Sequence, residues 1–239
     1  MVQEQVIRCI RAVDPDGLIV AEESAQLLGS PSSAEGRVWI IDPIDGTSQF
    51  VAPDGREFCS VVCLIEDRES VAAFVLAPEI GPDRSPVTVR VTGPGEPIEI
   101  NGEPVAGRLM SARPRQASVT RSSGTQPRGY EEVLVSQGYQ LKTRTTSQTL
   151  DMVRTCVDLA PFTEPALESF GLFYRERQKV WDGAAGICLA RAAGGLFVGD
   201  GTGKERATVD IALDVAEPQF DSMLIASDPD ATKIVTQRA

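Results

Sequence analysis

Two aspartates three residues apart close a hydrophobic run in this chain. Val38-Trp39-Ile40-Ile41 leads directly into Asp42-Pro43-Ile44-Asp45-Gly46-Thr47. Carboxylates delivered in this way converge on one point, with the Ile44 carbonyl between them, and oxygen donors of this kind suit a hard cation such as Mg²⁺. Pro43 fixes φ and removes a donor, so the strand is expected to stop there. Gly46 permits a tight turn, and Thr47 can cap the next element. A bare Asp-x-x-Asp is ordinarily a turn; the full string after an apolar strand is far more specific. Glu22-Glu23-Ser24 ends a second apolar stretch, Leu18–Val20. Adjacent carboxylates repel unless a cation or solvent separates them, although the same residues serve equally well as a solvated helix start. Asp182 follows Trp181 and opens the small-residue run Gly183-Ala184-Ala185-Gly186. An Asp at that place is often only a helix cap, but the small residues after it let another element approach closely. Four or five carboxylates at strand ends and helix starts make up the inventory of a two-metal phosphoryl-transfer site.

The chain contains no histidine. That excludes a Ser-His-Asp triad, a Cys-His pair, an HExxH zinc site and a phosphohistidine intermediate. Catalysis must then run on carboxylates, hydroxyls, lysine or bound metal. The five cysteines (Cys9, Cys59, Cys63, Cys156 and Cys188) are scattered and include no CxxC. They read as small core hydrophobes, and an odd count without a visible signal peptide favours a reducing, cytoplasmic location. The net charge of −11 argues against a nucleic-acid polymer or an anionic membrane surface as partner. No apolar run approaches the ~20 residues of a membrane span. An acidic surface also repels phosphorylated substrates, so a site for one needs metal cations to offset the field.

These residues need elements to hold them. Residues 4–13 carry apolar positions at helical spacing, and Asp14-Pro15-Asp16-Gly17 is a turn. Strands are expected at Leu18–Val20, Val38–Ile41, Phe58–Ile65 and Val71–Leu76, with a polar loop over Gly29–Gly36. The Gly-, Pro-, Ser- and Arg-rich stretch Glu79–Arg128 should form hairpins, including one at Asn101-Gly102, and exposed loop. Further helices are expected at Tyr130–Gln137, Ser147–Val157 and Trp181–Ala193, the last closed by Gly194-Gly195. Strands return at Phe170–Tyr174, Leu196–Val198 and Met223–Ala226, ahead of a polar tail. A soft boundary near residue 128 separates an N-terminal α+β part (1–128), carrying Glu22 and the DPIDGT string, from a C-terminal α/β part (129–239), carrying the Trp-Asp motif.

In order, the Glu22-Glu23-Ser24 segment, Trp39–Thr47 (WIIDPIDGT) and Trp181–Gly186 (WDGAAG) with Gly194-Gly195 resemble the lithium-sensitive phosphatase superfamily of inositol monophosphatases, fructose bisphosphatases and 3′(2′),5′-bisphosphate nucleotidases. The likeness spans roughly residues 18–226. It implies a layered α+β fold, an αβαβα sandwich, with the carboxylates between its halves. It also implies a small phosphorylated metabolite as substrate, Li⁺ inhibition, two Mg²⁺ ions or three, and a homodimer. By the same resemblance, Glu22, Asp42 and the Ile44 carbonyl hold the first Mg²⁺, and Asp42, Asp45 and Asp182 the second. Thr47 and Glu22 position the water, and the backbone amides of Gly46 and Thr47 bind phosphate.

The branch is read from finer features. Ser147-Gln148 resembles the Ser-Gln pair of the nucleotidases, and Arg177-Gln178-Lys179-Val180-Trp181-Asp182 resembles their approach to the last ligand. Inositol monophosphatases place an acidic substrate contact seven residues before that Asp, where this chain has Arg175. A cation there suits a second phosphate better than a sugar hydroxyl. Arg175, Arg177, Lys179 and Ser147 are therefore the expected substrate contacts, although the three cations also fit a solvated surface run. Several features depart from the family. Only 21 residues precede Glu22, fewer than the usual further helix and Asp-bearing loop need. The usual Glu-Ala-Gly-Gly reads Ala192-Ala193-Gly194-Gly195, and Leu150-Asp151 stands where nucleotidases place a Lys. Three readings stand side by side: a bisphosphate nucleotidase-like phosphatase, an inositol or sugar monophosphatase, and an inactive relative acting as a binding protein.

Overall fold

The computed structural model of the chain describes residues 2–24, 36–105, 114–120, 126–213, 215 and 217–237. The expected Gly29–Gly36 loop and parts of the Gly- and Pro-rich stretch, at 106–113 and 121–125, lie outside the described residues, Gly36 excepted.

The chain runs α1 (Val2–Val13), β1 (Leu18–Ala21), β2 (Arg37–Asp45), α2 (Thr47–Phe50), β3 (Cys59–Glu66), β4 (Glu69–Ala77), β5 (Val87–Val91), β6 (Glu99–Ile100) and β7 (Glu103–Pro104). It continues through β8 (Gln116–Ser118), α3 (Gly129–Ser136), β9 (Gln140–Lys142), α4 (Gln148–Cys156), β10 (Leu172–Lys179), α5 (Val180–Ala193), β11 (Phe197–Gly199), β12 (Gln219–Ala226) and α6 (Pro229–Thr236). β1 to β7 form one sheet in chain order, with only β1 and β2 parallel. The second sheet runs β11-β12-β10-β8-β9.

Helices and sheets alternate in five layers. α1 covers one face of the first sheet, where Val6, Ile7 and Ile10 pack on Ile19, Trp39 and Ile41. α4 and α5 fill the space between the sheets, and α3 and α6 cover the far face of the second, with Leu134, Ala231 and Val235 against Leu172 and Leu224. The αβαβα arrangement matches the expectation. α5 lies between two sheets and is buried from Val180 to Ala190. Its small residues help it fit: a Cβ on Gly186 would fall 2.2 Å from Met152 Sδ of α4, so a larger residue there would have to displace the buried Met152 side chain.

Two local expectations change. The strand does not stop at Pro43: β2 stays paired with β3 from Arg37 to Asp45, with a register shift between Asp42 and Asp45. β1 has ended by then, so the missing Pro43 N–H falls where no ladder bond is needed. The bulge carries both aspartates out of the sheet's end. The residues after Met223–Ala226 also end in helix α6, with Pro229 in its first turn and Asp228 Oδ1 accepting from the Asp230 amide at 3.0 Å.

Candidate active site

The carboxylate oxygens of Asp42, Asp45 and Asp182 lie within 4.8 Å of one another, and all three side chains are buried. Asp42 and Asp45 arrive on the β2 bulge; Asp182 arrives in the first turn of α5. Glu22, an exposed residue just past β1, lies against Asp42 at the rim, its backbone tied to β2 by a 3.1 Å bond from its amide to the Ile41 carbonyl. The Ile44 amide donates to Asp42 Oδ1 (2.9 Å), and the Ile44 carbonyl accepts from Thr47 Oγ1 (3.1 Å).

Asp45 is the most heavily donated to. Its Oδ2 accepts from Ser147 Oγ (2.6 Å) and the Thr149 amide (2.7 Å), and its Oδ1 from the Gln148 amide (3.2 Å). These donors form the start of α4, whose N-cap is Ser147. Asp182 Oδ2 accepts from the side-chain amides of Gln148 (3.1 Å) and Gln178 (3.0 Å). Gly46 makes the turn between the two halves of the site at φ +88°, where a Cβ would lie 2.8 Å from the Glu57 carbonyl oxygen and 2.9 Å from the Ser147 nitrogen. Only glycine meets both conditions.

Burial pushes the Asp42 carboxyl up to about 11, and the fields of Asp45, Asp182 and Glu22 push the same way. Asp182 is raised by burial and then by Asp45. Asp45 is raised by burial against the pull of its donors. Glu22 is raised chiefly by the desolvation it suffers at the rim. Protein groups alone do not let these carboxylates all ionise together; a divalent cation among them does. The donors are oxygens only, so the cluster fits Mg²⁺.

The expected substrate contacts divide. Ser147 is buried and turned to Asp45. Arg175 is half-buried, feels Asp182 and Asp45, and donates from Nη1 to Thr120 Oγ1 (3.0 Å) while its Nε is buried without a partner. Among the described residues it forms no ion pair. Arg177 is exposed, in a left-handed backbone conformation (φ +52°), with no contact to the carboxylates. Lys179 is paired with Glu217 (2.5 Å) and leans on Trp181. α2, which starts at Thr47 after the N-cap Gly46, is a single four-residue turn.

Gln178 joins the site without being among the expected residues. Residues 175 and 178 fall on opposite faces of a regular strand; with Arg177 left-handed, both reach toward Asp182. Nothing in the sequence marks that break in alternation.

A family model described as "Inositol monophosphatase family" matches residues 1–232. The chain belongs to the inositol monophosphatase family. The inositol-1-monophosphatase ImpA of Mycolicibacterium smegmatis is 32% identical over 205 residues, covering 82% of this chain and 66% of that protein. The Nus factor SuhB of Haemophilus influenzae is 26% identical over 196 residues, covering 81% of this chain and 67% of that protein. A solved SaIMPase-II with bound 2′AMP superposes with a TM-score of 0.71 at 18% identity, covering 98% of this chain and 80% of that one. As an inositol monophosphatase family member the chain is a phosphoric monoester hydrolase, and its acidic cluster fits the Mg²⁺ that the family uses. No helix among the described residues is long and apolar enough to cross a membrane.

Proposed function

We propose that this enzyme removes a phosphate from a small metabolite that carries a second anionic group, in the manner of a 3′(2′),5′-bisphosphate nucleotidase. The observation that carries the reading is Arg175: a half-buried cation beside the carboxylates, without a counter-ion among the described residues and with a donor to spare. A buried guanidinium N–H left without an acceptor is costly unless an anion completes it. SaIMPase-II, of the same fold, has been solved with 2′AMP and with inositol monophosphate bound, so the fold accommodates either class of substrate.

Glu22, Asp42 and the Ile44 carbonyl would hold one Mg²⁺, and Asp42, Asp45 and Asp182 the other. The ions supply a nucleophilic water at neutral pH and neutralise charge on the phosphoryl oxygens. The donors from Ser147, Gln148 and Thr149 orient Asp45, and the amides of Gln148 and Gln178 orient Asp182. Thr47 and Glu22 orient the water, and the Gly46 and Thr47 amides meet the phosphate. The reading includes inhibition by Li⁺.

The second reading, an inositol or sugar monophosphate as substrate, is favoured by the likeness to ImpA. Rates of Mg²⁺-dependent phosphate release, with and without Li⁺, from adenosine 3′,5′-bisphosphate and inositol 1-phosphate separate the two. We expect kcat/KM to favour the bisphosphate by tenfold or more, and Arg175→Ala to erase the preference. Equal rates, or a preference that survives the substitution, overturn the assignment. Mg²⁺ binding without release from any phosphomonoester would point instead to a role through a protein partner.

A further inference from the structure

We propose that Gln148 and Gln178 act together as a positioning clamp that sets the Asp182 carboxylate for the cation; this rests on the metal-dependent reading above. Both side-chain amides, one from the start of α4 and one from the end of β10, donate to the same oxygen, Asp182 Oδ2. Among the described residues neither side-chain amide is held by anything else: the Oε1 atoms of Gln148 and Gln178 are both buried without a donor. A buried amide oxygen left unpaired is unfavourable and rare. Two of them on the same pair of side chains mean that the orientation is dictated at the nitrogen end. Flipping either amide would satisfy nothing and would set oxygen against the Asp182 oxygen.

The clamp has two further supports. The left-handed backbone at Arg177 costs a non-glycine residue strain, and it sits where the strand must turn Gln178 toward Asp182. Gln148 also donates its backbone amide to Asp45 Oδ1, so one residue ties two of the three carboxylates together. Two donors on the one oxygen, Oδ2, fix the rotamer and plane in which Asp182 would meet the ion. Partners of this outer kind tune metal affinity by about 10- to 100-fold.

The test is titration of the full chain with MgCl₂ by calorimetry, for wild type, Gln178→Met and Gln148→Met, beside thermal melts in EDTA. We expect Mg²⁺ to bind each variant at least tenfold more weakly. The Mg²⁺ concentration for half-maximal phosphate release should rise by the same factor, and substrate KM at saturating Mg²⁺ should move less than threefold. Mg²⁺ affinity within twofold of wild type in both variants, whatever the melts show, overturns the clamp. Should Gln178→Met not melt cooperatively, Gln148→Met, on a separate element, decides. A wild-type chain that binds no Mg²⁺ overturns the metal-dependent reading itself.

Discussion

Ser147 Oγ donates to Asp45 Oδ2 at 2.6 Å across a sequence separation of 102 residues. The same hydroxyl accepts from the Leu150 amide at 3.0 Å and so caps α4. One side chain thus starts a helix of the middle layer and holds a carboxylate delivered by the first sheet. Ser147→Ala should lower stability by about 1–2 kcal/mol through the lost cap, seen as a lower urea midpoint at unchanged slope. It should also weaken Mg²⁺-dependent turnover, because Asp45 loses its hydroxyl donor and keeps only the Gln148 and Thr149 amides and the weak Cys59 thiol.

Asp45→Asn should abolish Mg²⁺-dependent phosphate release while the metal-free fold still melts cooperatively, relief of like charge being offset by an NH₂ group that must face one of the N–H donors. The substitution removes a ligand and also one member of a group of buried like charges. Phosphate release and circular dichroism melts in EDTA check the pair. Retained activity would break the assignment of the carboxylates to the metal.

The stability of the metal-free fold should fall as pH rises. Asp42 is held at about 11 by burial and then by Asp45 and Asp182, against 3.8 for the free side chain. The fold therefore binds more protons than the unfolded chain between those values. Its contribution is fully present below about pH 4 and is lost as pH climbs toward about 11. Asp45 and Asp182 act in the same direction; Glu57, lowered by Lys142, Arg154 and Arg144 against its burial, acts oppositely but only near acidic pH. We expect melting temperatures in EDTA to drop from pH 6 to 9, and Mg²⁺ to restore more at pH 9 than at pH 6.

Gly46→Ala should cost about 3 kcal/mol or more, from a left-handed φ combined with two backbone atoms under 3 Å from the new Cβ. A urea titration measures it. A loss below 1 kcal/mol would mean that the Glu57 and Ser147 backbones can move apart at this turn.

Asp151, in α4, is fully buried. It meets Lys142 (2.5 Å), Arg154 (3.7 Å) and Ser118 Oγ (2.7 Å), and Glu57 joins both cations from the other side. Asp151→Asn should cost about 3–5 kcal/mol, because two buried cations lose an anion. Asp151→Lys should not fold at all. A soluble, cooperative Asp151→Lys protein would show that the network is not what fixes α4.

The clustering of Asp42, Asp45 and Asp182 was legible because strand-end Asp-Pro-Ile-Asp-Gly-Thr and helix-start Trp-Asp are local patterns, and the five layers followed from the family likeness. The course of β2 through Pro43 was not, since it depends on β1 ending beside it. Helix α6 was hidden by its own Pro229, which reads as a breaker unless its place in the first turn is known. Arg177 and Lys179 resemble site cations by spacing; one is exposed on a left-handed residue and the other is satisfied by Glu217. Gln178 escapes notice for the same reason: a regular strand would turn it away from Arg175, and only the backbone angle at Arg177 prevents that.

Because Asp42 and Asp45 come from the first sheet, and Asp182 from a helix that packs between both sheets and lies about 140 residues further on, no early fragment of the folding chain presents the full carboxylate set. The ion can then act only on the finished molecule. It should lengthen the lifetime of the native state by slowing unfolding, and leave the rate of refolding almost untouched.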